Sequence, residues 1–192
     1  MARPSTRDVA RAAVKAELSQ AAFDLVLRDG FDNVTINDLA ATAGVSRSTF
    51  LRYFRTKEDA VLYTVDAQVT QLADALRARP VEEDDWQALR RAVDILIEPY
   101  QRDRVGALAM TQVIQSAPAL TARMLEKQHL WRPALTEALA DRHSSARPIP
   151  IPLAVRATAA LVCMNVAIDH WTASGGQLDL TDLVDEAFSS LG

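Results

Sequence analysis

The segment of residues 35–57, TINDLAATAGVSRSTFLRYFRTK, constrains the fold of this chain more than any other. Thr35, Ser46 and Thr56 each stand where a side-chain hydroxyl can cap the first turn of a helix. Gly44 lies between the first two caps and can adopt the left-handed backbone of a tight turn. The spacing predicts a short helix, a turn, a second short helix and the start of a third, which is the arrangement of a helix-turn-helix.

The second short helix begins with side chains that suit DNA recognition. Such a helix fits the major groove, where its first turns reach the base edges. Arg47 can make a paired contact to guanine, whereas Ser48 and Thr49 are short enough to contact bases or phosphates. Arg52 and Tyr53 follow one turn later, so we expect them to flank the groove and contact the backbone.

Three further residues in this segment bear on the same prediction. Phe50 and Phe54 are four positions apart, so both can pack inward from one side of the helix. Lys57 falls in the first turn of the next helix, where a cation is unfavourable for the helix dipole. A DNA phosphate beside it would explain this placement, and we therefore expect Lys57 to contact the DNA backbone.

The whole chain is predicted to be all-α. Its 192 residues include only 6 Gly and 8 Pro, 49% are hydrophobic, and no long run alternates with period 2. We expect a three-helix helix-turn-helix domain over residues 1–56 and a helical ligand-binding and dimerisation domain over 57–192. The first helix has an apolar stripe near period 3.6, formed by Val9, Ala12, Ala13, Ala16, Ala21, Ala22, Leu25 and Val26. About nine helices are predicted, over residues 8–29, 36–43, 47–54, 57–79, 85–101, 104–115, 118–142, 153–173 and 181–191.

The charge is divided unevenly along the chain. The total is −4, but residues 1–57 carry 9 Lys/Arg and 6 Asp/Glu, net +3, and the remaining residues carry net −7. Because salt screens charge beyond about 10 Å, the local charge decides attraction to phosphate. Arg3 and Arg7 could form a basic arm in the minor groove, or the start of the chain could simply be untethered.

Several classes of protein are disfavoured by the same sequence. The single cysteine, Cys163, and three scattered histidines provide neither a disulfide nor a metal site, and we expect no cofactor. No catalytic constellation is evident, so we expect the chain not to be an enzyme. The N-terminus lacks the apolar core of a signal peptide, and the apolar run 153–168 is short and contains Arg156. These features predict a cytoplasmic protein without a membrane span.

Residues 35–57 closely resemble the N-terminal signature of tetracycline-repressor (TetR) family regulators, and the resemblance extends at the motif level over about residues 8–63. Residues 118–139 look like the C-terminal domains of actinobacterial members. The resemblance implies that the first three helices bind DNA, the middle helices form an effector pocket and the last two form a homodimer. Where members often carry a phosphate-contacting Tyr, this chain has Leu51. The DNA contacts that the resemblance implies are Thr35, Arg47, Ser48, Thr49, Tyr53 and Lys57.

The helix predicted over 153–173 is apolar nearly all round and must therefore be buried on more than one side. A two-fold four-helix bundle with the helix at 181–191 would bury it, and two recognition helices about 34–36 Å apart would then read a palindrome. A core helix buried wholly within its own domain is the alternative. The residues expected at the dimer interface are Leu161, Val162, Val166, Val184 and Phe188.

Large aromatic and sulfur-containing side chains beside Pro99 and Pro133 suggest an effector pocket. For each of them taken alone, ordinary core packing is the alternative. An apolar lining would favour a hydrophobic or amphipathic ligand. The candidates are Trp86, Tyr100, Met110, Met124, His129, Trp131 and Asn165.

Together these features predict a homodimeric, ligand-responsive transcriptional repressor. It would bind a palindromic operator in double-stranded DNA through residues 35–54 and be released by a small hydrophobic effector, through a pendulum-like motion of the helix at 57–79. Two alternatives remain open: a helical protein–protein adaptor without DNA readout, and a DNA-binding activator without a ligand.

Overall fold

The computed structural model describes residues 5–143 and 148–192. In these residues the chain forms eleven α-helices and no β-strand, as the all-α prediction requires. Arg3 of the predicted basic arm lies outside the described residues. The helices are α1 Thr6–Asp29, α2 Ile36–Thr42, α3 Arg47–Tyr53, α4 Lys57–Val61, α5 Val65–Arg77, α6 Asp85–Ala92, α7 Asp94–Arg102, α8 Arg104–Ser116, α9 Pro118–Arg142, α10 Ile151–Ala173 and α11 Leu180–Ser189.

The helices form two compact units. The first consists of residues up to Asp66 together with Val113–Met124, and the second of Ala67–Gln112 together with Leu125–Gly192. The first unit therefore continues past residue 56, where the sequence suggested a domain boundary, and takes in a segment from much later in the chain.

Local capping explains where the helices of the first unit begin. The hydroxyl of Thr35 accepts the N–H of Asp38, whose carboxylate accepts the N–H of Thr35 in return. Ser46 caps α3 and Thr56 caps α4 in the same way, by accepting an N–H from three residues on. The three caps predicted from the sequence are thus confirmed. Each cap satisfies a backbone donor that the helix itself leaves free.

The turn between α2 and α3 depends on Gly44. Its φ of 67° lies in the left-handed region, which is unfavourable for any residue with a side chain. The N–H of Val45 then donates to the carbonyl of Ala40 at 2.9 Å, which closes the turn. The four residues between the two helices therefore fix the direction of α3 relative to α2.

The core of the first unit forms between the second half of α1 and the helices α2, α3 and α4. Phe50 and Phe54 are both buried, with ring centroids 5.5 Å apart, as their spacing predicted. The hydroxyl of Ser19 on α1 donates to the carbonyl of Ala60 at 2.7 Å and ties the helix to α4. Other buried members of this core are Leu18, Ala22, Leu25, Val26, Phe31, Val34, Leu39, Ala40, Val61 and Leu62.

The first half of α1 does not join this core. The first four members of the predicted apolar stripe are exposed, and the side chain of Val9 is 54% exposed. The members of the stripe that are buried, Ala22, Leu25 and Val26, all lie in the second half of the helix. Alanine favours helix without needing burial, so an alanine-rich stripe does not by itself indicate a buried face. The exposed members are Val9, Ala12, Ala13 and Ala16.

Two helices expected to be continuous are each divided in two. The helix predicted over 57–79 is interrupted at residues 62–64, where Leu62 is fully buried and Val65 donates to its carbonyl in a tighter turn. The helix predicted over 85–101 is interrupted at Val93. Neither break contains Gly or Pro. In contrast, α7 continues through Pro99 as far as Arg102.

The second unit is built around α10, which packs on α6 and α11. A buried polar cluster lies at its edge. The carboxylate of Asp85 accepts from His143 at 2.6 Å and from Arg156 at 3.2 Å, and the Arg142 guanidinium beside it is almost fully buried. Arg142 donates to the backbone carbonyls of Arg79, Pro80 and Glu83 at 2.8–3.0 Å. The cluster joins three separate stretches of chain, at residues 79–85, 142–143 and 156.

Candidate nucleic-acid interface

The start of α3 presents a small group of exposed polar side chains. Arg47 and Ser48 are exposed and Thr49 is half-buried. The Ser46 hydroxyl lies 3.0 Å from the hydroxyls of both Ser48 and Thr49 and also accepts the N–H of Thr49 at 3.1 Å. The cap therefore orders the hydroxyls at the point where a recognition helix would meet base edges. In the described part of the chain, Arg47 makes no ion pair and its guanidinium is free to bind a ligand.

The end of α3 carries a second set of polar groups. The Arg52 guanidinium carbon lies 5.6 Å from the centre of the Tyr53 ring, and Arg11 of α1 approaches the same ring at 6.0 Å. These distances allow cation–π attraction on a half-exposed ring. Arg52 and Tyr53 were predicted from the sequence to contact DNA, whereas Arg11 was not. The available signal was the four-residue spacing of cations along the start of α1.

Thr35 lies at the start of α2 with its hydroxyl already in use. It donates to the Asp38 carboxylate at 2.6 Å, and bonds from Thr35 hold the pKa of Asp38 below its ordinary value. A phosphate can only accept, so Thr35 must give up Asp38 before its hydroxyl can donate to DNA.

Lys57 is half-buried and has partners within the first unit. Its ammonium donates to the carbonyls of Phe31 at 2.8 Å and Val34 at 3.2 Å, and it lies 4.0 Å from the centre of the Phe31 ring. These contacts give a reason for a cation at the start of α4 that does not involve DNA. Leu51, where the chain departs from the TetR pattern, is half-buried.

The five residues expected at a dimer interface fall into two groups. Leu161, Val184 and Phe188 are buried within the protomer, so their side chains face its own core. Val162 and Val166 are 52% and 45% exposed. The helix α10 therefore has one face in the core and one face bare. That bare face continues through Ile151 and Val155, which are also exposed.

Several pocket candidates pack in pairs with neighbours in the second unit. The Trp86 ring lies 4.6 Å from that of Phe188, and its Nε1–H donates to the Phe188 carbonyl at 3.0 Å. Tyr100 packs edge to face on Trp171 at 5.3 Å, and burial raises the pKa of Tyr100 to about 12.

The remaining candidates differ in burial and in their partners. Asn165 exchanges two amide hydrogen bonds with Gln128, at 2.8 and 2.9 Å. Trp131 is buried, His129 is exposed beside Arg132, and Met110 and Met124 are half-buried. A surface groove of about 410 Å³ is lined by Trp86 but by none of the other candidates. Its other lining residues are Gln87, Arg90, Arg91, Asp185, Phe188, Ser189 and Gly192.

By length and composition alone, α10 could cross a membrane. In this fold its buried residues, among them Leu153, Ala157, Leu161 and Met164, pack within the second unit instead.

A short capped helix pair with an exposed, basic recognition helix, joined to a second helical unit, defines a helix-turn-helix transcriptional regulator. The chain belongs to the TetR family of bacterial regulatory proteins. The family described as "Bacterial regulatory proteins, tetR family" matches residues 18–63, and the family described as "MftR C-terminal domain" matches residues 83–192. The predicted family is thus confirmed, and the matched families are regulators rather than enzymes.

Individual relatives agree with this assignment. The chain is 30% identical over 128 residues to the HTH-type transcriptional regulator EthR of Mycolicibacterium smegmatis, which covers 64% of this chain and 58% of that protein. The chain thus spans little more than half of EthR. It is 25% identical over 182 residues to the HTH-type transcriptional repressor AcnR of Corynebacterium diphtheriae, with 92% of each covered.

The fold itself is shared with a solved structure, that of Thermus thermophilus FadR, a TetR-family transcriptional repressor in complex with lauroyl-CoA. The two superpose with a TM-score of 0.57, covering 91% of each chain. At 20% sequence identity this likeness concerns the fold alone.

Proposed function

We propose that this protein is a homodimeric, ligand-responsive transcriptional repressor that binds a palindromic operator through residues 35–54. The observation that carries the proposal is the capped start of α3, where Arg47 and Ser48 are exposed together and Arg47 has no internal partner in the described residues. An exposed arginine with no structural task is available for a paired contact to guanine.

The bare face of α10 supports the homodimer. Ile151, Val155, Val162 and Val166 are all exposed and recur at intervals of four or seven residues, which places them along one side of the helix. A contiguous apolar stripe of this kind marks an association surface. A second copy related by a two-fold axis would cover it and bring a second recognition helix to the DNA.

The effector is proposed to be a small hydrophobic or amphipathic molecule. The aromatic and sulfur-containing side chains of the second unit suit an apolar ligand. FadR of Thermus thermophilus, which shares the fold, was solved with lauroyl-CoA, and this supports the choice of acyl thioesters as the first class to test.

Binding of mixed-sequence duplexes at several salt concentrations would test the proposal, followed by selection of preferred duplexes from a random pool. A DNA-reading dimer should lose affinity steeply with salt and select a palindrome. Arg47→Ala should then lose about 1–3 kcal/mol of discrimination at one position of each half-site. Arg28→Ala, which removes an exposed arginine at the far end of α1, is the matched control.

The alternatives give different results in the same experiment. A protein–protein adaptor would show no duplex affinity that responds to salt. An activator without a ligand would bind the selected palindrome, but neither acyl thioesters nor other amphipathic compounds would release it, and transcription from the operator would rise with the protein.

A further inference from the structure

We propose that Arg7, Arg11 and Lys15 form a second phosphate-binding surface, the α1 ridge, which continues from Tyr53 and holds the DNA backbone beside the recognition helix. The proposal rests on the proposed function and names the α1 side chains that would hold the DNA backbone.

The ridge is a property of helix geometry. Its three cations are spaced four residues apart, so they lie on one face of α1 and extend over about 12 Å along its axis. Arg7 and Arg11 are exposed. The nearby carboxylate of Asp8 accepts hydrogen bonds from Ser5 in the capping box that starts the helix. It is one negative charge against three cations, so the ridge keeps a net positive charge.

Aromatic side chains fix the ridge beside α3. The Lys15 ammonium lies 5.3 Å from the centre of the Phe54 ring and 4.7 Å from that of Tyr63. One turn earlier, Arg11 lies 6.0 Å from the Tyr53 ring, which Arg52 approaches at 5.6 Å. Cation–π contacts orient the charged groups without using up their N–H donors.

The position and the exposure of the ridge favour nucleic acid as its partner. It adjoins Tyr53 and Arg52 at the end of α3, so it continues the surface on which the proposed operator would lie. The first half of α1 contributes little to the core, and both Arg7 and Arg11 are exposed there. Leu51 on α3 offers no donor to a phosphate, and the ridge supplies donors close by.

The salt dependence of duplex binding tests the ridge in the full-length protein. The double variant Arg7→Gln/Arg11→Gln should bind operator and mixed-sequence duplexes more weakly by the same factor. The slope of log affinity against log salt should flatten by about 0.9 for each phosphate that the variant no longer neutralises. Restoring charge in Arg7→Lys/Arg11→Lys should restore the slope, which a purely structural role would not predict.

Arg28→Gln is the matched control. It removes an exposed cation from the same helix about 26 Å from Arg11, given 1.5 Å per residue, and should keep the wild-type slope. If the double variant keeps the wild-type slope while Arg47→Ala loses operator preference, the ridge is refuted and the proposed function stands. If the wild-type protein shows no salt-dependent affinity for any duplex, both fail.

Discussion

The ammonium of Lys57 lies 2.8 Å from the carbonyl oxygen of Phe31 and 4.0 Å from the centre of the ring of the same residue. One side chain at the start of α4 thus holds both the backbone and the side chain of the connection between α1 and α2. Since α2 begins at Ile36, this contact helps to fix the start of α2, on which the recognition helix α3 packs.

Lys57→Met should therefore destabilise the first unit. The substitution keeps the apolar stem but leaves the carbonyls of Phe31 and Val34 without their charged donor, at a cost of about 1–3 kcal/mol. Urea denaturation followed by circular dichroism would measure it.

Arg55→Gln, an exposed charge loss two residues earlier, should leave stability within about 0.5 kcal/mol. If Lys57→Met left the stability unchanged and only flattened the salt dependence of DNA binding, the contact to DNA predicted from the sequence would be the correct interpretation.

Val162→Arg should convert a dimer into folded monomers. Val162 is 52% exposed in the protomer, so a charge there disturbs association more than folding. Sedimentation velocity would give the mass and circular dichroism the fold. Val105→Arg, at an 81% exposed valine on α8, should leave the mass unchanged. A Val162→Arg protein that still sediments as a dimer would remove the bare face of α10 from the interface.

Stability should fall in alkali because of Tyr100. Burial raises the pKa of Tyr100 from 10.0 to about 12, so the unfolded chain loses this proton first. The protonated Tyr100 therefore contributes up to roughly 2 kcal/mol to the free energy of unfolding. This contribution is intact below about pH 10 and is lost as the pH rises towards 12. Denaturant unfolding across this range would measure it. Tyr100→Phe should show a shallower decline than wild type, and equal slopes would contradict the assignment.

Asp85→Asn should lower the free energy of unfolding by about 2–3 kcal/mol. The carboxylate is buried and faces His143, Arg156 and the nearly inaccessible Arg142, so its loss leaves buried positive charge without its counter-ion. Thermal unfolding would measure the effect. Asp74→Asn, in an exposed pair with Arg77, should change stability by less than about 1 kcal/mol. Equal effects of the two changes would mean that the buried cluster adds nothing.

The parts of the fold that sequence reasoning predicted well are those with local causes. The caps at Thr35, Ser46 and Thr56 and the turn at Gly44 each depend on residues at most five positions apart. The Phe50/Phe54 pair has the same character. Such features can be read from spacing, because the interacting groups are close in the chain as well as in space.

The features that sequence reasoning missed depend on distant partners. The contacts of Lys57 reach back 23 and 26 residues, and the break at residues 62–64 arises where Leu62 is buried, without any helix-breaking residue. Phe188 looked like an interface residue because it lies on the apolar face of α11. In the fold, Trp86, 102 residues earlier, covers it.

Because α1 is buried in its second half and exposed in its first, its backbone amides should fall into two classes of protection from hydrogen exchange. Residues 18–29 are fixed by the core, and the earlier turns rest mainly on helix propensity and the Ser5 cap. Because the buried half already supplies the nucleus, the outer turns can fray and re-form without a new nucleation step. Their amides should exchange with solvent through local opening, long before those around Leu25, which exchange only when the unit unfolds. A duplex bound along these outer turns would slow the exchange of their amide hydrogens, which exchange quickly in the free protein.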